Sequence, residues 1–175
     1  QAQQLERLGR ERALIYKTLV LTGLRKGELG SITIGQVHLG APCPYLELEA
    51  ADEKNREGSH IPLRSDLAAD LRAWIDDLQA ERREATRLRV DAHAASELPA
   101  TCPLFTVPAG LLRILNRDLE AAGIPKRDER GRSVDVHALR HSFGTLLSAG
   151  NVAPRTAQAA MRHSSIDLTM NIYTD

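Results

Sequence analysis

Aromatic side chains are scarce in this 175-residue chain, which has one Trp, three Tyr and two Phe. Hydrophobic residues still make up 42% of it, so we expect a core built from Leu, Ala, Val and Ile. Two cysteines, Cys43 and Cys102, are too few for a disulfide framework and form no CxxC metal motif. The formal net charge is zero, which argues mildly against nucleic-acid binding because such domains are often basic.

Long apolar runs are absent as well, and no stretch approaches the roughly 20 residues that a membrane-spanning helix needs. We find no signal-peptide pattern and expect no membrane partner. The glycines of TGLRKGELG lack Rossmann or P-loop spacing. His137 and His141 have a spacing that suits zinc, but no pattern of Cys or carboxylate ligands accompanies them, so we predict no metal site.

Hydrophobic periodicity predicts a mainly α fold with a small three-stranded antiparallel β-sheet. We expect strands within 32–39, at 46–50 and at 59–63, the last two joined by a hairpin. We expect helices at 3–22, from Ser65 to about Arg89, at 108–122, from the VDVHALRH segment to Gly150, at 154–161 and at 164–172, with one more turn at 26–30.

The segment VDVHALRHSFGTLLSAG carries the strongest functional signal. Its apolar residues recur at helical spacing and predict one buried face, which leaves His137, Arg140 and His141 on the opposite side. A guanidinium beside an imidazole on a rigid helix suits recognition of a phosphodiester. Although net charge is zero, residues 126–175 hold seven Lys or Arg against five Asp or Glu, so a local basic groove is compatible with the composition.

Three other segments have matching chemistry. In TGLRKGELG, Arg25 follows a break in the helical pattern, and Glu28 lies one turn later where it can hold the guanidinium. Lys54 lies near the tip of the predicted hairpin, and the C-terminal segment contains His163 and, ten residues later, Tyr173. Taken singly, each is more typical of a surface or packing residue.

In their order and approximate spacing, these segments resemble the tyrosine recombinases, or phage-type integrases, from about Leu14 to Tyr173. The resemblance implies that Tyr173 is the nucleophile. It also implies a phosphate-binding and proton-transferring set around that tyrosine, with Glu28 and His141 as supporting residues: Arg25, Lys54, His137, Arg140 and His163. One departure is the pair Met161-Arg162 before His163, where many members have Leu-Gly.

The resemblance also sets expectations for the whole chain. Residues 1–175 would be the integrase-type catalytic domain, a fragment without the N-terminal DNA-binding domain and the C-terminal tail. It would cleave and rejoin double-stranded DNA through a 3′-phosphotyrosine link, without metal or other cofactor, as a homo-oligomer that is tetrameric on DNA. The expected location is the bacterial cytoplasm, at the nucleoid.

Two alternatives share these residues. A type IB topoisomerase uses a similar set to relax supercoils, although TGLRKGEL and His-Ser-Ser-Ile look more like an integrase. A catalytically silent DNA-binding or regulatory module is the second alternative, against which the presence of all six expected residues argues.

Overall fold

The computed structural model describes residues 2–53, 56–87 and 97–173, with the side chain of Tyr173 outside that description. It confirms a mainly helical fold with a three-stranded antiparallel sheet in the order β1-β2-β3. The strands are β1 (Val37–His38), β2 (Tyr45–Leu48) and β3 (Ser59–Pro62). The helices are α1 (Ala2–Thr22), α2 (Lys26–Ser31), α3 (Ser65–Arg87), α4 (Leu111–Ala121), α5 (Val136–Ala149), α6 (Pro154–Met161) and α7 (Ile166–Tyr173). Along the described ranges, none of these helices has the length and hydropathy needed to cross a bilayer.

The first strand is short, as predicted, and occupies only Val37–His38 of the predicted range 32–39. Ile34–Gln36 forms a 3-10 turn, because the side chain of Gln36 folds back on Thr33. Its Oε1 accepts hydrogen bonds from the Thr33 backbone N–H at 2.7 Å and from the hydroxyl at 3.0 Å. This side-chain bonding competes with strand pairing, so only Val37 and His38 reach the sheet.

The chain divides into two compact units, and Gly30–Phe105 forms the second. Leu46 of β2 pairs with Val37 on one side and Ile61 on the other. Leu46 and Ile61 are buried, as are the Leu67, Leu71 and Trp74 side chains of α3. The Trp74 indole N–H donates to the Leu104 carbonyl at 2.9 Å, so the one tryptophan is both buried and hydrogen-bonded.

The first unit combines Gln1–Leu29 with Thr106–Asp175. Helix α5 contacts α1, α4, α6 and α7, which makes it the central helix of this unit. A Cβ on Gly144 of α5 would lie 2.7 Å from Ile172 Cδ1 and 2.9 Å from Met161 Sδ. The missing side chain therefore lets α6 and α7 approach α5 closely.

Candidate active site

Arg25 lies in the short connection between α1 and α2, where Gly23 turns the chain with a φ of +62°. Its backbone N–H donates to Glu28 Oε2 at 2.8 Å, and its guanidinium pairs with Glu28 Oε1. The Glu28 side chain is 3% exposed, whereas that of Arg25 is 26% exposed. The buried Glu28 carboxylate therefore anchors Arg25 and leaves part of the guanidinium open to solvent.

The ionisation of Glu28 follows from these contacts. Burial alone would raise the pKa of its carboxyl, but hydrogen bonds from Arg25 and the charges of Arg162 and Arg25 outweigh burial and lower that pKa. The carboxylate is thus charged at neutral pH.

Arg140 projects from α5 and is buried, with 3% of its surface exposed. Its guanidinium donates to the backbone carbonyls of Gly23 and Met161. It therefore ties the end of α1 to the end of α6, and among the described residues these bonds use two of its five N–H donors. Burial, and then the charges of Arg25 and Arg162, lower the pKa of Arg140 to about 10, so it stays cationic at pH 7.

Arg162 is a third arginine in this cluster, and the sequence pattern did not assign it a role beyond extra positive charge. Its guanidinium donates to Gly23 O at 3.1 Å and to Glu28 Oε2 at 3.2 Å. The sequence signal that could have found it is its position directly after α6, where a glycine is the common helix terminator.

His163 follows Arg162 and places its Nδ1 3.0 Å from the hydroxyl of Thr169. Thr169 is fully buried on α7, and sequence reasoning missed it. Burial, followed by the charges of Arg140 and Arg25, lowers the pKa of His163 to about 4. The imidazole is therefore neutral at pH 7, and when the Thr169 hydroxyl donates to Nδ1, Nε2 carries the proton.

His137 and His141 lie one turn apart on α5, with ring centroids 5.0 Å apart in an edge-to-face arrangement. Burial, then electrostatic repulsion by His141 and by the charge of Arg140, lowers the pKa of His137, while Asp135 opposes them. Asp135 also accepts a hydrogen bond from the Ala138 N–H at 2.7 Å and so caps α5. A neutral His137 can accept a proton, as a general base must.

Two predicted site residues fall outside what the structure describes. Lys54 belongs to the undescribed part of the β2–β3 connection. Tyr173 is the last residue of α7, and its phenol is outside the description. Their roles stay predictions.

The described residues thus bring Arg25, Arg140 and Arg162 together around Gly23 and Glu28. His163 and His137 lie near enough for the charge of Arg25 to act on both. Guanidinium groups in a poorly solvated position bind phosphate oxygens strongly. Within 2–53, 56–87 and 97–173, no group of three or more His, Cys, Asp or Glu side chains is arranged to hold a metal ion.

Comparison with known families gives one match over almost the whole chain: the phage integrase family, over residues 2–175. The tyrosine recombinase XerC of Ralstonia pickettii (strain 12J) is 31% identical over 168 residues, covering 87% of this chain and 45% of the relative. The tyrosine recombinase XerD of Lacticaseibacillus casei is 30% identical over 169 residues, covering 94% of this chain and 50% of the relative. The chain thus spans about half the length of these relatives.

Solved structures agree on the fold. The XerA recombinase superposes with a TM-score of 0.67 at 21% identity, over 95% of this chain and 52% of that one. The XerH site-specific recombinase, bound to its difH substrate before cleavage, superposes with a TM-score of 0.62 at 23% identity, over 97% of this chain and 44% of that one.

Proposed function

Because this chain belongs to the phage integrase family, we propose that it supplies the catalytic domain of a site-specific DNA recombinase. The reaction would cleave and rejoin double-stranded DNA through a 3′-phosphotyrosine intermediate. The observation that carries the proposal is the convergence of Arg25, Arg140 and Arg162 on Gly23 and Glu28, with His163 near enough for their charges to act on it. The names of the relatives favour recombination over the supercoil relaxation of a topoisomerase.

The arginines would bind the two non-bridging oxygens of the scissile phosphate. Arg25 has an exposed edge that Glu28 does not cover, and this edge would make the first contact. Arg140, fixed by two carbonyls, would direct its remaining donors at the same phosphate. Rigid donors of this kind need no rearrangement as negative charge develops, which is why they stabilise a transition state more than water does.

The two histidines would have separate roles, one in binding the phosphate and one in proton transfer. His163, neutral and carrying its proton on Nε2, would donate a further hydrogen bond to a phosphate oxygen. His137 would take the phenol proton of Tyr173, since its lowered pKa leaves it unprotonated at neutral pH. An unperturbed phenol has a pKa near 10, so it needs such a base or strongly positive surroundings.

The bond changes balance without an external energy source. The Tyr173 oxygen forms a bond to phosphorus as the bond to the 5′ oxygen breaks, and Lys54 would give that leaving oxygen its proton. The phosphotyrosine keeps the energy of the original diester, so attack by another 5′-hydroxyl reverses the step. Since recombination of two duplexes cuts four strands, we expect four copies on the DNA, acting in the bacterial cytoplasm.

The chain contains three tyrosines, which makes the nucleophile testable by exchange. The hydroxyl of Tyr16 donates to Asp118 Oδ2 at 2.9 Å, and burial, then this carboxylate, raise its pKa. Tyr16 is thus held as a neutral phenol, the wrong state for attack. Tyr45 lies in β2, in the second unit.

The test is formation of a covalent adduct between the full-length protein and a nicked duplex library with randomised arms, seen on a denaturing gel. We expect an adduct with the natural protein and with the control Tyr45→Phe, and none with Tyr173→Phe. An adduct that survives Tyr173→Phe would overturn the assignment of the nucleophile. The absence of any adduct with the natural protein would overturn the proposed activity.

A further inference from the structure

Several helices of the first unit are followed by a residue in the left-handed backbone conformation. Helices α1 and α6 are followed directly by residues with positive φ, Gly23 (+62°) and Arg162 (+54°). Helices α4 and α5 are each followed by such a residue two positions after the end, Gly123 (+68°) and Asn151 (+54°). Glycine tolerates this left-handed conformation freely and asparagine tolerates it better than most residues. An arginine there is costly, and such strain persists only where surrounding contacts hold it.

The contacts that hold Arg162 are of two kinds. Its backbone closes α6, since the Arg162 N–H donates to Ala159 O at 3.0 Å and the His163 N–H to Gln158 O at 3.1 Å. Its side chain, 6% exposed, turns inward to Gly23 O and Glu28 Oε2. A glycine could hold this backbone without strain, as it does after α4, where the Gly123 N–H donates to Glu120 O at 3.1 Å and the Ile124 N–H to Leu119 O at 2.9 Å. What an arginine adds is the side chain.

The Glu28 carboxylate is shared between two arginines. One oxygen pairs with the Arg25 guanidinium, and the other accepts from the Arg25 backbone at 2.8 Å and from Arg162 at 3.2 Å. Arg162 therefore acts on Arg25 through one carboxylate. It also shares the Gly23 carbonyl with Arg140, so it contacts an anchor of each phosphate-binding arginine.

We propose that Arg162 is a positioning residue of this active site, which fixes Glu28 and the Gly23 carbonyl so that Arg25 and Arg140 are held ready for the phosphate. This inference rests on the proposed function. The Arg162 guanidinium already bonds the Gly23 carbonyl and the Glu28 carboxylate, so we leave the phosphate contacts to the other two arginines.

The variants are Arg162→Gly, which removes the side chain and the backbone strain, and Arg162→Lys, which keeps a cation. Arg155→Ala is the matched control, because Arg155 is an exposed cation of α6 whose guanidinium bonds only Gln158 among the described contacts, at 3.1 Å. We expect Arg162→Gly to slow adduct formation about 10- to 100-fold with DNA affinity little changed, since small misplacements of catalytic groups cost that much. Arg162→Lys should recover part of the rate, and Arg155→Ala should match the natural protein.

A positioning role also predicts non-additivity. Arg162→Gly should slow the reaction less in an Arg25→Ala background than in the natural protein, because its effect passes partly through Arg25. An equal effect in both backgrounds, or an adduct rate for Arg162→Gly within twofold of the natural protein, would overturn the inference while leaving the proposed function intact.

A second measurement needs no DNA. The NMR titration midpoint of the His163 imidazole should rise in Arg162→Gly, because a nearby cation has been removed, and should stay unchanged in Arg155→Ala. If the natural protein forms no adduct, the proposed function fails, and the titration still tests Arg162. An unchanged midpoint in Arg162→Gly would show that its guanidinium does not lie in the cluster.

Discussion

Replacing Gly23 by alanine would disturb the residue on which the cluster depends. Gly23 has a left-handed φ of +62°, and an added Cβ would lie 2.4 Å from Cδ1 of the Phe143 ring. Its carbonyl accepts hydrogen bonds from both Arg140 and Arg162. The substitution therefore strains the backbone, collides with a rigid ring and shifts a shared acceptor.

Two other glycines separate these effects. Gly123 has a φ of +68° with nothing within 4 Å of an added Cβ, and Gly9 lies within α1, also with nothing near. We expect Gly123→Ala to destabilise by about 1 kcal/mol through left-handed strain. Gly9→Ala should stabilise by about 0.5–1 kcal/mol because alanine favours a helix. Gly23→Ala adds overpacking of about 1–3 kcal/mol to the strain, for a loss of about 2–4 kcal/mol.

Thermal unfolding followed by circular dichroism gives the measurement. For a chain of this size 1 kcal/mol corresponds to about 2–4 °C, so the three variants should separate clearly in melting temperature. If Gly23→Ala unfolds at the same temperature as Gly123→Ala, Phe143 does not pack against this turn. If Gly23→Ala loses stability but still forms the adduct at the natural rate below its melting temperature, the idea that the Gly23 carbonyl organises the arginines is refuted.

Two further predictions concern α7 and His163. Gly144→Ala should change stability by less than about 1 kcal/mol, since the gain in helix propensity opposes contacts with the flexible ends of Ile172 and Met161. It should still slow adduct formation, because α7 carries Tyr173; an unchanged rate in a single-turnover assay would contradict this. Because the pKa of His163 is lowered to about 4 in the folded protein, the unfolded chain binds a proton near pH 6.5 that the folded chain does not. The free energy of unfolding should therefore fall as the pH is lowered from about 6.5 to 4, and it should fall less steeply in His163→Gln. Denaturant titrations at several pH values measure this, and equal pH slopes for both proteins would contradict the lowered pKa of His163.

The sequence predicted which residues form the site better than it predicted the contacts that hold them in place. Helical periodicity and the glycine break near Arg25 are local signals, so the fold class and the Arg25–Glu28 pair could be predicted from nearby residues. The Arg162–Glu28 pair joins positions 134 residues apart, and local patterns carry no information on such a contact. The sequence also predicted a short first strand within 32–39. Its exact position at Val37–His38 depends on the Gln36 side chain, whose bonding to Thr33 apolar patterning does not register.

The net charge of the chain also says little about the charge of the site, for a related physical reason. The chain is neutral overall, yet Arg25 and Arg162 pair with the single carboxylate of Glu28. Arg140 lies beside them as a third cation, while His163 is held neutral at pH 7. These three guanidinium groups and Glu28 together carry two net positive charges, and the neutral carbonyls of Gly23 and Met161 hold Arg140. A phosphodiester brings one negative charge, and its pentacoordinate transition state with a tyrosine oxygen brings two. If the cluster binds the scissile phosphate as proposed, its own repulsion would be relieved most completely in the transition state, and such differential binding would accelerate the reaction.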